Sequence, residues 1–191
     1  MNKLNIIFFT LFFPCVIFSS NIDPVVFLEN ILIEIKPSLL HKDDFFLEKT
    51  IRKYVDFNEV AICVSGKQLW SLANEDDRLN FIDALATLMV STYRKTVYYY
   101  IDSDIDFLRP KSKNFLDAKR KIQISSFMKK DNKSVNISYR LVKHGDSWLV
   151  FDILIEGISI LKSLQTQYTA LIKQYGIVYV TKKIHNSNSE K

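Results

Sequence analysis

The spacing of apolar residues along the sequence changes from a helical to a strand-like period and then returns to the helical one. Apolar residues recur every three or four positions from residue 23 to about 98, and every second position from 104 to 156. Helical spacing returns over 157–175. Helices and strands segregated in this way predict an α+β fold, and short connections between the strands predict an antiparallel meander packed on helices.

Length and composition predict one domain with a substantial core. The chain has 191 residues, of which 48% are apolar, and this excludes an intrinsically disordered protein. The 26 Lys and Arg against 21 Asp and Glu give a net charge of +5. A charge of this size permits contact with anionic surfaces and does not predict a nucleic-acid partner.

The first 20 residues are typical of a secretory signal. Lys3 precedes the mainly apolar stretch Leu4–Phe18, which is shorter than the ~20 residues that span a bilayer. We therefore expect a signal peptide over 1–20, a single domain over 21–191 and export to the periplasm, with an uncleaved anchor as the alternative. Removal of the signal leaves Cys63 alone and excludes an intramolecular disulfide.

Capping residues divide the helical part of the sequence. Asp23, followed by Pro24, is a typical helix start, and Pro37 is expected to end that helix near Lys36. The other predicted helices begin after Asp43, Asp56, Asn74 and Gly157, and end near Tyr54, Gly66, Tyr98 and Gly176. A frayed polar tail is expected from about residue 185.

Four strands are predicted between residues 104 and 156. The last one, SWLVFDILIE, is apolar on both faces and is placed centrally in the sheet. Because Asp152 should avoid the core, the predicted core face of this strand consists of Leu149, Phe151, Ile153 and Ile155.

Few residues are suited to catalysis or to metal binding. The three histidines, His41, His144 and His185, show no metal-ligand spacing, and we predict neither a metal site nor a cofactor. Asp152 and Glu156 lie where strand gives way to helix and could serve as a general acid and base. The favoured interpretation is structural, with Glu156 orienting the next helix and Asp152 accepting local hydrogen bonds.

A basic stretch precedes the second predicted strand. It could dock on an anionic surface or an acidic partner, or it could be a solvated strand edge. Its residues are Arg109, Lys111, Lys113, Lys119, Arg120 and Lys121.

Two motifs, in matching order over about residues 22–180, resemble the MlaC and toluene-tolerance proteins. The first motif has an Asp-Phe start, a Gly near a Trp, an acidic helix start and then the pattern Phe-x-x-x-Leu-x-x-Leu-Met-x-x-Thr-Tyr. Its matching residues are Asp56, Phe57, Gly66, Trp70, Phe81, Leu85, Leu88, Met89, Thr92 and Tyr93. The second motif is Trp-x-Val-Phe-Asp-Ile-x-Ile-Glu-Gly-Ile-Ser; it begins at Trp148, ends at Ser159 and is followed by Gln167 and Tyr168.

The resemblance implies a fold similar to the nuclear-transport-factor-2 cone, with an apolar cavity and no enzymatic activity. It implies a periplasmic carrier whose bound ligand is a phospholipid. The implied partners are an outer-membrane lipoprotein complex and an inner-membrane ABC transporter that bears an MCE-domain subunit. The alternatives are an exported interaction module without a ligand and a small-molecule enzyme on the same fold.

An apolar helix face opposite an apolar sheet face can form the cleft that such a carrier needs. Periodicity does not distinguish a lined cleft from a filled core. The expected lipid-binding side chains are Trp70, Leu85, Leu88, Met89, Tyr93, Ile124, Ile137, Tyr139, Phe151, Ile158 and Leu161.

Overall fold

The structure is a computed structural model that describes residues 22–100, 103–109, 120–131 and 133–189. The helices are α1 (Pro24–His41), α2 (Asp44–Tyr54), α3 (Phe57–Ser65), α4 (Lys67–Leu72), α5 (Glu75–Tyr99), α6 (Ile160–Tyr175) and α7 (Ile177–Ser189). The strands are β1 (Asp104–Leu108), β2 (Lys121–Lys130), β3 (Lys133–His144), β4 (Ser147–Ile155) and β5 (Ile158–Ser159). The predicted signal peptide lies outside the described residues.

The predicted helix caps are present. The Asp23 carboxylate accepts the backbone N–H of Val25 at 2.8 Å, at the start of α1. Asp56 and Asn74 cap α3 and α5 in the same way, with acceptor distances of 2.9 and 2.8 Å. Each bond satisfies a donor that the first helical turn leaves without a partner, so short polar residues define where these helices begin.

Helix α1 does not end at Pro37, as the sequence predicted, but continues to His41. Pro37 is exposed, and the residues after it return to the protein interior. Leu39 packs with Ile35 and with Leu47 of α2, and all three side chains are buried. Burial of this apolar cluster offsets the hydrogen bond that the proline cannot make.

The five strands form one antiparallel sheet in the order β1-β2-β3-β4-β5. This confirms the predicted α+β class and the meander. The strand that the sequence did not predict is β5, whose two residues pair with Leu154 and Ile155 of β4. On the same edge of β4, Val55 forms a parallel bridge with Val150, so the segment between α2 and α3 covers part of that edge.

The predicted core face of β4 is wrong. Trp148, Val150 and Asp152 are buried, whereas the predicted residues Leu149, Phe151, Ile153 and Ile155 are only half-buried. A register shift lies opposite Arg140 and Leu141 of β3, while burial still alternates along β4 through Trp148, Val150 and Asp152. The shift places Asp152 opposite Arg140, so the buried carboxylate has a cationic partner.

Two apolar clusters flank the sheet. One joins α1 to the sheet through Val25, Phe27 and Leu28, which pack with buried residues of β2, β3 and β4. The larger cluster joins α3, α5, α6 and α7. Ile153 packs against both clusters, so β4 connects the two parts of the core.

Helices α4 and α7 were not predicted. Helix α7 extends to Ser189, so residues 185–189 of the expected frayed tail are helical. Ile177, Val180 and Ile184 are buried at helical spacing against the larger cluster. This spacing is visible in the sequence, but the polar residues that follow it obscured the signal.

Candidate functional site

Helix α5 brings four of the predicted lipid-binding residues to one region. Leu85 and Leu88 are buried in the larger cluster, together with Leu161 of α6. Met89 and Tyr93, one and two turns further along α5, pack against the same cluster and remain half-buried. The buried pair anchors the helix, whereas the half-buried pair leaves apolar surface uncovered.

The predicted sheet residues divide between two surroundings. Phe151 packs against the larger cluster and is half-buried, as Met89 and Tyr93 are. Ile124 and Tyr139 belong to the cluster that α1 covers, and they face each other across β2 and β3. Ile137 is buried on the same sheet face, two residues before Tyr139.

Two predicted residues lie at the periphery. Trp70 of α4 is half-buried at the edge of the larger cluster, with the Arg78 guanidinium 5.5 Å from its ring centroid. Ile158 of β5 is 69% exposed. The structure therefore does not bring Ile158 together with the other predicted residues, because Ile158 lies exposed in a two-residue strand at the edge of the sheet.

A polar pair lies within the apolar sheet face. The Ser126 side chain is fully buried, and its hydroxyl donates to the carbonyl of Ile137 at 3.5 Å. Burial raises the pKa of Tyr139, and a hydrogen bond with Ser126 partly opposes that rise. Sequence reasoning did not select Ser126, although alternation along β2 places it with Ile122, Ile124 and Met128 on the buried face.

Burial also raises the pKa of Tyr93 on α5 and of Tyr168 on α6. Both rings pack with the larger cluster. A phenol combines a large apolar ring with one hydroxyl, so these side chains can contact hydrocarbon and still hydrogen-bond a polar group. Tyr168 appeared in the sequence motif but was not selected as a binding residue.

The region also contains half-buried aliphatic residues that were predicted as core. Ile153 and Ile155 of β4 pack against the larger cluster without being fully covered. With Met89, Tyr93 and Phe151 they form a set that we call the open apolar set. Partly uncovered apolar side chains on a helix and on a strand are suited to binding hydrocarbon.

The carboxylate pair has a structural role. Asp152 accepts from Arg140 at 3.1 Å, from the Ser159 hydroxyl at 2.7 Å and from the backbone N–H of Leu161 at 3.0 Å. Glu156 is exposed, and its carboxylate accepts the backbone N–H of Asn136. Both groups hold backbone in place, which gives no support to an acid–base pair. The predicted role of Glu156 is wrong, because its carboxylate binds β3 and it is Asp152 that contacts the next helix.

Within the described ranges, no three His, Cys, Asp or Glu residues lie close enough together to hold a metal ion. In the same ranges, none of the helices combines the length and the apolar character that crossing a bilayer requires. Cys63 is half-buried on α3, and burial raises the pKa of its thiol, which disfavours the reactive thiolate.

The described part of the basic stretch makes local contacts. Arg109 lies 3.3 Å from the Glu29 carboxylate of α1. Lys121 pairs with Glu59 of α3, and its ammonium group is 4.7 Å from the Phe151 ring centroid. Lys111, Lys113 and Lys119 lie outside the described residues, and Arg120 is exposed. These pairs favour a role of the stretch in tying helices to the sheet.

The fold and the open apolar set define a class of small α+β proteins in which helices pack on an antiparallel sheet and apolar side chains of both remain partly uncovered. A sequence model described as MlaC protein matches residues 42–186, and this chain belongs to the MlaC family. The resemblance found in the two motifs is thereby confirmed. A comparison with curated proteins finds no match.

Among solved structures, the chain is similar to a phospholipid-binding protein from Ralstonia solanacearum that was determined in complex with a phospholipid. The two sequences are 19% identical, the alignment covers 90% of this chain and 97% of the other, and the TM-score is 0.74. At this identity the likeness shows a shared fold.

Proposed function

We propose that this protein is a phospholipid carrier that holds acyl chains against the open apolar set. The observation that carries the proposal is the position of that set. All five side chains of the set pack against the larger cluster and remain partly uncovered. They are Met89 and Tyr93 on α5, and Phe151, Ile153 and Ile155 on β4. Family membership and the phospholipid bound to the Ralstonia solanacearum protein support the same ligand class.

The energetics of lipid transfer explain why such a surface is needed. A diacyl lipid has about 30 chain methylenes, and exposing them to water at about 0.8 kcal/mol each costs about 25 kcal/mol. A carrier must cover both chains while the charged headgroup stays hydrated. Met89 suits chains of varied length because its thioether is flexible, and the Tyr93 hydroxyl can contact polar groups nearer the headgroup.

The proposed cellular role rests on the predicted signal peptide and on the family. The proposed mature protein comprises residues 21–191, forms one domain and works in the periplasm after removal of residues 1–20. It carries phospholipid between an outer-membrane lipoprotein complex and an inner-membrane ABC transporter with an MCE-domain subunit. Binding without chemistry is the proposed activity, because Asp152 and Glu156 are both engaged by backbone groups.

The test is mass spectrometry of lipid that co-purifies with the protein. The wild type is expected to carry about one phospholipid per chain. Met89→Asp places a charge on the open apolar set and is expected to remove most of that lipid. Phe151→Asp tests β4, the sheet side of the proposed cleft. Leu88→Asp tests a buried residue of α5 that the sequence analysis also predicted to bind lipid.

A matched control lies on the same helix. Leu79 of α5 is exposed, so Leu79→Asp makes the same kind of change outside the proposed cleft and should leave lipid loading unchanged. Circular dichroism verifies that each variant is folded. A folded wild-type protein without lipid would contradict the proposal and favour a ligand-free interaction module. Equal loading of Met89→Asp and the wild type would contradict the proposed cleft.

A further inference from the structure

Helix α1 has a second apolar face that the core does not use. Val26, Ile33 and Leu40 are spaced by seven residues, share one side of the helix and are exposed. Ile33 is 71% exposed and Leu40 is 57% exposed. Asn30 and Pro37, which complete this stripe, are exposed as well. Apolar exposure at helical spacing over the length of α1 differs from isolated exposed residues, which are common.

The stripe continues onto the start of α2. Phe45 is 80% exposed, and it lies five residues after Leu40, beyond the turn that joins the two helices. On the opposite side, Ile35, Leu39 and Leu47 form a buried cluster that holds α1 against α2. The exposed apolar side chains are therefore presented outward by a packed pair of helices. We call Ile33, Leu40 and Phe45 the outer apolar tip.

Acidic side chains of the same two helices are engaged by the protein itself. Asp23 and Asp43 cap α1 and α2. Glu29 pairs with Arg109 and Glu34 with Lys53. Asp44 pairs with Arg94 at 2.6 Å, and Glu48 pairs with Arg52. These interactions partly neutralise the negative charge along α1 and α2.

The lysines around the outer apolar tip differ from these acids in their ion pairing. Lys36, Lys42 and Lys49 are exposed, and no carboxylate of the described residues forms an ion pair with them. Lys36 is three residues after Ile33 and four before Leu40, and Lys49 is four after Phe45. Residues at these spacings are neighbours on a helix surface, so positive charge borders the apolar tip.

We propose that the outer apolar tip docks the protein on an anionic phospholipid surface. Apolar side chains would enter the interface while lysine side chains reach the acidic headgroups, as in amphipathic helices that lie on membranes. The acids of α1 and α2 are engaged within the protein, whereas Lys36, Lys42 and Lys49 are available, and this charge arrangement favours an anionic lipid surface over a second copy of the same chain. Two of the three residues of the outer apolar tip, Ile33 and Leu40, lie before the region that matches the family, residues 42–186.

The test is flotation of the protein, purified as the cell processes it, with vesicles of phosphatidylglycerol and phosphatidylethanolamine. We expect salt-sensitive binding and weak binding to vesicles of phosphatidylcholine. The variant Leu40→Asp/Phe45→Asp is expected to lower the partition coefficient at least about tenfold. Replacement of Lys42 or Lys49 by Gln is expected to lower it by about fivefold each.

The control is Leu72→Asp on α4, because Leu72 is as exposed as Phe45 and lies outside the tip. This control should float like the wild type. Met89→Asp separates the two proposals, since it blocks the proposed cleft and should leave flotation intact. Conversely, Leu40→Asp/Phe45→Asp should keep its co-purified lipid.

Three results would overturn the docking proposal. The first is a wild-type protein that does not float with the anionic vesicles, and the second is a tip variant that floats as well as the wild type. The third is a wild-type dimer in the absence of lipid that the tip variant converts to a monomer, because a second copy would then cover the tip.

Discussion

The carboxylate of Asp152 accepts the backbone N–H of Leu161 at 3.0 Å, so a side chain of β4 completes the first turn of α6. The same carboxylate receives the Ser159 hydroxyl and the Arg140 guanidinium. Because the Asp152 side chain is fully buried, these three donors take the place of water around its oxygens. The hydrogen bond between Asp152 and Leu161 sets the position of α6. This helix places Leu161 and Tyr168 in the larger cluster.

Asp152→Ala is expected to destabilise the protein by about 3 kcal/mol, because it removes a buried acceptor and leaves the start of α6 and Arg140 without their partner. Urea denaturation followed by circular dichroism measures the change. Asp76→Ala, at an exposed position in the first turn of α5, should cost less than about 1 kcal/mol. Equal losses in the two variants would contradict the role given to Asp152.

Asn74→Ala tests the cap of the longest helix. The Asn74 side chain accepts the N–H of Asp77 at 2.8 Å, and its loss is expected to cost about 1 kcal/mol. Thermal denaturation is the measurement. Asn80→Ala is the matched control, since Asn80 is exposed inside α5 and alanine is the better helix former there. A control that loses as much stability as Asn74→Ala would argue against the cap.

The local features of this fold could be predicted because their causes lie close together in the sequence. Asp56 and Asn74 each satisfy a donor three residues away, and alternation along β2 depends only on which side chains are apolar. The burial of Asp152 could not be predicted, because its partner Arg140 lies on another strand and meets it through a register shift. The same limit applies to α1, which continues past Pro37 because Leu39 packs against Leu47 of α2.

The candidate site was predictable in part. The period of α5 identified Met89 and Tyr93, which are half-buried as an open surface requires. The period could not distinguish Met89 and Tyr93 from the buried residues Leu85 and Leu88. The burial of each side chain depends on α6 and α7, which pack against α5 from distant parts of the chain. Ile158 was predicted on the apolar side of the last helix with Leu161, but that helix begins at Ile160 and Ile158 lies exposed in the edge strand β5.

The stability of the protein should fall at alkaline pH through Tyr98. Burial and a hydrogen bond with Asp44 raise the pKa of Tyr98 from 10.0 to about 12. Since the unfolded chain releases this proton more readily, the contribution is complete below pH 10 and is lost as the pH rises toward 12. Tyr98→Phe removes the ionisable hydroxyl and should show a smaller loss across this window.

Urea denaturation at several pH values between 10 and 12 measures the difference between the wild type and Tyr98→Phe. Burial also raises the pKa values of Tyr93, Tyr139 and Tyr168, but those residues contribute to both proteins and cancel in the comparison. Tyr179→Phe, at an exposed position on α7, is the control and should lose stability as the wild type does. Parallel pH profiles for the wild type and Tyr98→Phe would refute the assignment.

Removal of the bound lipid should lower the melting temperature if the open apolar set binds acyl chains. A ligand that binds only the folded state stabilises it, by about 2.7 kcal/mol when its free concentration is a hundred times its dissociation constant. Differential scanning calorimetry before and after detergent extraction measures this change. Met89→Asp should melt at nearly the same temperature before and after extraction, because it is expected to have lost most of its lipid, whereas Leu79→Asp should lose stability as the wild type does. A wild-type melting temperature that extraction leaves unchanged would mean that the lipid does not contact the folded interior, since hydrocarbon covering Met89, Tyr93 and Phe151 must be lost on unfolding.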